Sequence, residues 1–154
     1  MGVGVRVRLA DDGDLSALTT LRRLWSEENA GAPIDDAAFD AAFAAWWEAE
    51  QSTRTFFLVE LDEVVIGMAN VKRYERMPVP DRSSGHWGYV GNVFVLPDHR
   101  NDGIGATLMH ALQEWAWSAG MAHLRLAPSP LSATFYDRLG YLAGSVVELD
   151  PPRG

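Results

Sequence analysis

The chain of 154 residues contains no cysteine. Without thiols it can form neither a disulfide nor a thiolate zinc site, and a cysteine nucleophile is excluded as well. Metal binding would depend on scattered histidines, which show neither the i, i+4 pairing of a helical site nor an HExxH pattern. These histidines are His86, His99, His110 and His123. The sequence therefore predicts no metal site.

The chain is also poor in positive charge and in long apolar runs. Its net charge of −8 argues against nucleic-acid binding, because nucleic acids favour basic surfaces. No apolar run approaches the roughly 18 residues that a membrane span requires. The start, Met1 to Leu9, alternates arginine with valine, unlike the continuous apolar core of a secretory signal. We therefore expect a cytoplasmic protein with no nucleic-acid or membrane partner.

The order of the predicted elements indicates one α/β domain over residues 1–154, long enough to bury a core without a disulfide or a metal. Apolar and alternating runs predict strands over 3–9, 55–60, 64–72, 87–96, 124–127 and 141–149. Apolar residues at helical spacing predict helices over 15–28, 35–51, 103–119 and 130–139. Residues 77–85 read as an exposed loop. This order predicts a mixed sheet with helices on both faces.

The most informative stretch is an apolar strand, Val93 to Leu96, that breaks at Pro97 and leads to Gly103-Ile104-Gly105 at a helix start. The glycines let the backbone turn tightly beside an anion, and the helix start offers unpaired N–H groups. Arg100 adds a cation there. The stretch therefore predicts a phosphate-binding turn.

Neither common nucleotide motif is completed by this turn. Ala106 and Thr107 follow Gly105 where a Walker A loop has Lys and Ser or Thr. Leu108 stands where a dinucleotide fingerprint has Gly or Ala.

The segment from Asn92 to Met109 resembles the coenzyme-binding motif of the GNAT superfamily of N-acetyltransferases, which is Arg/Gln-x-x-Gly-x-Gly/Ala after a strand that ends in Val-x-Pro. Arg100, Gly103 and Gly105 fill its fixed positions. Further along, Phe135 to Tyr141 resembles the second signature of the family, a tyrosine on a short helix followed by Leu-Gly-Phe/Tyr. The resemblance is close over residues 88–145, whereas the first 85 residues match only in the order of elements.

The resemblance implies a single-domain GNAT fold with a mostly antiparallel central sheet. It also implies transfer of an acetyl group from acetyl-CoA to a primary amine of a small molecule, directly and without a covalent enzyme intermediate. Homodimerisation is expected by analogy with such domains.

The same resemblance implies site residues. Backbone groups of Val93, Phe94 and Val95 would pair with the pantetheine arm of the cofactor as though it were a strand. Ser129 would donate a hydrogen bond to the cofactor, and Tyr136 would point at the sulfur and protonate the leaving thiolate. Backbone amides would hold the pyrophosphate; they belong to Arg100, Asn101, Asp102, Gly103, Ile104, Gly105 and Ala106.

The sequence departs from the family pattern at three places. Ser129 and Ser132 stand where relatives often have Asn and Ala before the tyrosine helix. Asp102 puts a carboxylate near the anion site. Where relatives often carry a glutamate base, the chain has Tyr89-Val90-Gly91-Asn92. The general base is therefore unassigned, and the candidates are Glu27, Glu28, His86 and a water chain to solvent.

Two other functions remain open from the sequence: a non-catalytic acyl-CoA-binding module, and an acetyltransferase that acts on a protein N-terminus or lysine. The acceptor pocket is equally open. The tryptophans either shape an aromatic pocket or pack in the core; those considered are Trp25, Trp46, Trp47 and Trp87.

Overall fold

A computed structural model describes residues 4–82 and 85–153 of the chain. Its strands are β1 (Val5–Leu9), β2 (Arg54–Leu61), β3 (Val64–Glu75), β4 (His86–Val95) and β5 (Leu124–Arg125). Its helices are α1 (Leu15–Ala30), α2 (Phe39–Glu50), α3 (Ile104–Ser118) and α4 (Ala133–Arg138), with single 3-10 turns at Asp12–Asp14 and Pro97–His99. None of the helices in this described part combines the length and the apolar character that a membrane crossing demands.

The five strands form one sheet in the order β1-β2-β3-β4-β5. Neighbours are antiparallel except for β4 and β5, which are parallel. Because side chains alternate along a strand, Phe57 and Val59 of β2 pack with α3 on one face, while Phe56 and Leu58 pack with α1 and α2 on the other. The predicted fold, a mixed and mostly antiparallel sheet with helices on both faces, is confirmed.

Strands β4 and β5 separate after a short contact. They pair only at Gly88 with Leu124 and at Tyr89 with Arg125, so the rest of the β4 edge on this side has no strand partner among the described residues. The N–H of Leu96 donates to the Ile66 carbonyl, toward β3. Because successive residues of a strand point their backbone N–H and C=O groups to opposite sides, those of Val95 face the open edge. The separation leaves backbone groups that an extended ligand can pair with.

A bulge interrupts β4 at the same place. Phe94 is opposite Met68 and Gly91 is opposite Asn70, so two residues of β4 face one residue of β3. Asn92, one of the two, has a φ of 54°, a left-handed conformation that asparagine tolerates better than most residues. The bulge turns the side chain of Asn92 toward the face that carries α1 and α2, where it lines a cavity.

The structure differs from the sequence prediction mainly at the C-terminal end. The strand predicted over 141–149 is wrong, because Leu142, Val146, Val147 and Leu149 are each more than 80% exposed and lie in no strand. The adjacent sheet edge, β5, has only two residues, so this chain offers too short a ladder for another strand. At the other end, Val3 of the first predicted strand lies outside the described residues.

Candidate functional site

The turn from β4 to α3 forms a concave run of backbone amides. Asn101 and Gly103 have φ values of 68° and 79°, and Ile104 then begins α3. A left-handed residue followed by a right-handed one makes an anion-binding nest. The amides of Ile104, Gly105 and Ala106 lie in the first helical turn, where N–H groups have no intrahelical partner. The turn can therefore hold a phosphate group.

Gly105 connects this turn to α4. A Cβ added to Gly105 would lie 3.4 Å from the ring of Phe135, in ordinary van der Waals contact, so α4 packs directly against the first turn of α3. Tyr136 follows Phe135 and is only 8% exposed. Its ring makes edge contacts with the rings of Phe135 and Tyr141, at centroid distances of 5.0 and 5.7 Å. The packing fixes Tyr136 beside the start of α3.

The hydroxyl of Tyr136 stays protonated over the whole physiological range. Burial, with a smaller contribution from Tyr141, raises the pKa of Tyr136 to about 12. The phenol is therefore available as a hydrogen-bond donor at any ordinary working pH.

The guanidinium of Arg100 has protein partners on two sides. Its Nε donates to the carbonyl of Val95 at 2.8 Å, on the open edge of β4. Its two terminal nitrogens donate to the two carboxylate oxygens of Glu28, at 2.6 and 2.8 Å. This pair ties the end of α1 to the phosphate-binding turn, so the side chain of Arg100 is not a free cation. Asp102 is exposed.

Ser129 lies just before α4. Its hydroxyl is 2.9 Å from that of Ser132, and the N–H of Ser132 donates to the Ser129 carbonyl. Ser129 thus belongs to the turn that begins α4, and its role toward a cofactor stays a prediction.

A cavity of about 350 Å³ lies between α1, α2 and the sheet. Most of its wall is apolar: Leu18, Phe39, Phe43, Trp46, Phe56 and Met68. Arg22 of α1 lies at its side, and Asn70 and Asn92 form its polar end. Because Asn92 belongs to the bulge, the cavity ends where the open edge of β4 begins.

A hydrogen-bonded chain fixes the polar end. Asn70 is 2% exposed, and its Oδ1 accepts from Arg54 Nη1 at 2.6 Å. Its Nδ2 donates to the Oδ1 of Asn92 at 2.8 Å. Because arginine can only donate, this arrangement sets the orientation of the Asn70 amide. Arg54 in turn donates to Glu50 at 3.0 Å, and Lys72 and Arg54 hold the pKa of Glu50 below its usual range.

None of the three side chains considered as the general base lies at the cavity. His86 is at the opposite end of β4, where its Nε2 donates to the Ala119 carbonyl at 2.9 Å. Glu27 accepts a bond from the N–H of Ile34, and Glu28 is paired with Arg100. None of the three lines the cavity.

The four tryptophans have different surroundings. Trp46 lines the cavity, and Trp25 stacks on Phe94 at 5.7 Å between ring centroids. Trp47 is buried, with its indole N–H bonded to Asp12, and Trp87 stacks on Tyr74 and His123. One of the four therefore contributes to the cavity, and at least Trp47 packs in the core.

The model of the acetyltransferase (GNAT) family matches residues 18–141. The chain belongs to the GNAT family. A Bacillus subtilis (strain 168) protein assigned as an acetyltransferase is 25% identical over 138 residues, covering 90% of this chain and 83% of that protein. The recognition of the family from its two signatures is confirmed, and with it the expectation of an N-acetyltransferase.

Solved structures support the same fold. An acetyltransferase from Clostridium acetobutylicum, solved with acetyl-CoA, superposes with a TM-score of 0.77 at 20% identity, covering 95% of this chain and 96% of that one. The enzyme AAC(6')-Iy, in complex with the bisubstrate analogue CoA-S-monomethyl-acetylneamine, superposes with a TM-score of 0.75 at 22% identity, covering 97% of this chain and 99% of that one. The GNAT architecture thus spans nearly the whole chain.

The sequence did not reveal the polar residues of the cavity of this GNAT protein. Arg22 and Asn70 line it, and Arg54 supports Asn70 from behind; the three lie on different elements, and none belongs to a motif. The available signal was the single asparagine within the apolar run of β3. Among the described residues, no three His, Asp or Glu side chains cluster closely enough to hold a metal ion.

The Glu28–Arg100 pair predicts a pH-dependent contribution to stability. The hydrogen bond from Arg100 lowers the pKa of Glu28, so the contribution is present above the unfolded-state pKa of about 4.3 and is lost as the pH falls through the lower folded-state value. Both side chains are more than one-third exposed, so we expect Glu28→Gln to cost at most about 1 kcal/mol at pH 7.

Urea unfolding of wild type and Glu28→Gln at neutral pH and near pH 3 measures this contribution. The difference in unfolding free energy should shrink at the acid end. Glu48→Gln, at an exposed position of α2, is the matched control and should change little at either pH. If Glu28→Gln lowers the unfolding free energy by the same amount at both pH values, the pH-dependent contribution of the Glu28–Arg100 pair is contradicted.

Proposed function

We propose that the protein transfers an acetyl group from acetyl-CoA to a primary amine of a small molecule, by direct attack and without a covalent enzyme intermediate. The observation that carries this proposal is the meeting of two features at the β4 bulge. On one side are the open edge of β4 and the amide-rich turn before α3; on the other is the cavity that ends at Asn92. A thioester on the first would face an amine in the second.

The donor would bind along the open edge and the turn. Backbone groups of Val93, Phe94 and Val95 would pair with the amides of the pantetheine arm, and the amides from Arg100 to Ala106 would hold the pyrophosphate. The left-handed conformation of Gly103 and the helix start after it fit this use. Ser129 would add one hydrogen bond. The acetyl-CoA in the Clostridium acetobutylicum structure supports this donor.

The transfer needs one bond made and one broken. The amine nitrogen bonds to the acetyl carbon as the carbon–sulfur bond breaks, and the amine releases its surplus proton to water, because no described residue that lines the cavity is a carboxylate. The leaving thiolate accepts a hydrogen bond from Tyr136, which stabilises its developing charge, and it then takes a proton from solvent.

A small-molecule acceptor is supported by the cavity and by a structural neighbour. The cavity is at the lower end of the roughly 300–1,000 Å³ that ligand pockets span, which suits a small amine better than a protein segment. AAC(6')-Iy was crystallised with an analogue that joins CoA to an acetylneamine, which is also a small molecule.

Isothermal titration with acetyl-CoA, followed by thiol release over a panel of amines, tests the proposal. We expect binding and amine-dependent release of free thiol. Absence of binding at millimolar acetyl-CoA would contradict the donor. Binding without thiol release for any amine would indicate an acyl-CoA-binding module, and release only with peptides would indicate a protein acceptor.

The homodimer is also part of the proposal. Sedimentation velocity over a range of protein concentrations tests it, and a monomer at all concentrations would contradict it. A cytoplasmic location remains a prediction from composition, and fractionation of cells that express the protein tests it.

A further inference from the structure

We infer that the acceptor is a primary amine that carries an aromatic ring and one carboxylate, of the chemical class of L-phenylalanine, and not a polycation. This inference rests on the proposed function, because it takes the cavity as the place where the acceptor binds.

The wall of the cavity favours a flat apolar group. Phe39, Phe43 and Trp46 follow one another at helical spacing on α2 and present a continuous aromatic surface. The centroid of the Phe43 ring lies 6.0 Å from that of Phe39, in an edge contact, and 5.6 Å from that of Trp46, in a tilted contact. Phe56 continues this surface from β2, in an edge contact with Trp46 at 5.6 Å. Another aromatic ring would gain favourable edge or offset contacts against such a surface.

Arg22 supplies the charge on the cavity wall. Its guanidinium lies 4.6 Å from the ring centroid of Trp25, and its Nη1 donates to the hydroxyl of Ser26 at 3.0 Å. These contacts hold the guanidinium in place without neutralising it, and no described carboxylate pairs with it. The neighbouring Arg23, in contrast, is paired with Asp40 at 2.8 Å. A held guanidinium with free N–H groups is suited to bind a carboxylate.

The cavity carries none of the negative charge of the chain. The net charge is −8, yet the described residues that line the cavity include one cation and no carboxylate. A polycationic amine would bury its ammonium groups without a partner beside the guanidinium of Arg22, which is unfavourable. An acceptor with one carboxylate instead pairs with Arg22 and enters with its amine neutral.

Thiol release with three acceptors tests the inference: L-phenylalanine, phenethylamine, which lacks only the carboxylate, and neamine, a polycation. We expect kcat/KM to be highest for L-phenylalanine and lowest for neamine. The variant Arg22→Gln should lower the ratio of kcat/KM for L-phenylalanine to that for phenethylamine by at least about tenfold, mainly through KM. The matched variant Arg23→Gln, which alters a neighbouring arginine that is not part of the cavity wall, should keep the wild-type ratio.

A second measurement separates this inference from the proposed function. Calorimetric titration of the CoA-saturated protein with L-phenylalanine should show binding that Arg22→Gln weakens and Arg23→Gln does not. If acetyl-CoA binds and amines release thiol, but neamine is preferred or Arg22→Gln leaves the ratio unchanged, the inference on the acceptor is overturned and the acetyl transfer stands. If acetyl-CoA does not bind, the proposed function itself fails.

Discussion

Replacing Tyr136 with phenylalanine is expected to lower kcat by about 10²- to 10³-fold, the range for loss of one hydrogen-bond donor to a developing negative charge, with little change in the Kd for acetyl-CoA. The substitution removes only the hydroxyl. The ring keeps its edge contacts with Phe135 and Tyr141, so α4 should stay packed against the first turn of α3. An interaction made only as the thiolate leaves affects turnover and not ground-state binding.

The high pKa of Tyr136 makes this prediction specific. Since burial raises that pKa to about 12 and a thiol has a pKa of about 8.5, the phenol is the weaker acid. It therefore stabilises the leaving thiolate by donating a hydrogen bond and keeps its own proton, and the thiolate takes a proton from solvent as the product departs. Wild-type activity should rise with pH as the acceptor amine loses its proton and should not fall before about pH 10.

Stopped-flow thiol release from pH 6 to pH 10, together with calorimetric acetyl-CoA titrations, measures both effects. Tyr141→Phe is the matched control: its hydroxyl accepts a bond from Gln113 and has no assigned part in the transfer, so its kcat should stay close to that of wild type. An unchanged kcat for Tyr136→Phe, or an equal loss for Tyr141→Phe, would remove the assigned role.

The sequence predicted those parts of the site that are local in the chain. Gly103, Gly105 and Tyr136 belong to short motifs whose spacing reflects a turn and a helix start, so one stretch of sequence contains the signal. The partner of Arg100 could not be predicted in this way, because Glu28 lies 72 positions away and becomes a neighbour only when α1 packs on the sheet. The spacing of apolar residues predicted the helix that carries Phe39, Phe43 and Trp46, but their function as a cavity wall depends on how α1, α2 and the sheet pack together.

The error at residues 141–149 has a related cause. The β-branched and apolar residues Val146, Val147 and Leu149 favour extended backbone, but a strand also needs a partner with enough free edge. The partner available here, β5, is two residues long. Sequence pattern gives the preference of a segment, whereas strand pairing depends on residues far away in the chain.

Replacing Asn70 with leucine is expected to destabilise the protein by about 1–3 kcal/mol, because a buried polar network loses its central member. Leucine has a similar size but cannot accept from Arg54 Nη1 or donate to Asn92 Oδ1, and both groups would lose a bond. For a chain of this length, such a loss corresponds to a Tm lower by about 2–10 °C. We also expect kcat to fall, because Asn92 is no longer held at the bulge.

Thermal unfolding of Asn70→Leu is compared with that of the exposed control Asn29→Leu. The unfolding free energy of the control should lie within about 0.5 kcal/mol of the wild-type value. A cycle with Arg54→Met then tests whether the network acts as a unit. Because the double variant removes donor and acceptor together, it should cost less than the sum of the two single variants. Additive costs would mean that Arg54 and Asn70 stabilise the fold independently. In that case the orientation of the Asn92 side chain would depend on the β4 bulge alone, and kcat measured well below the Tm should be the same in Asn70→Leu as in wild type.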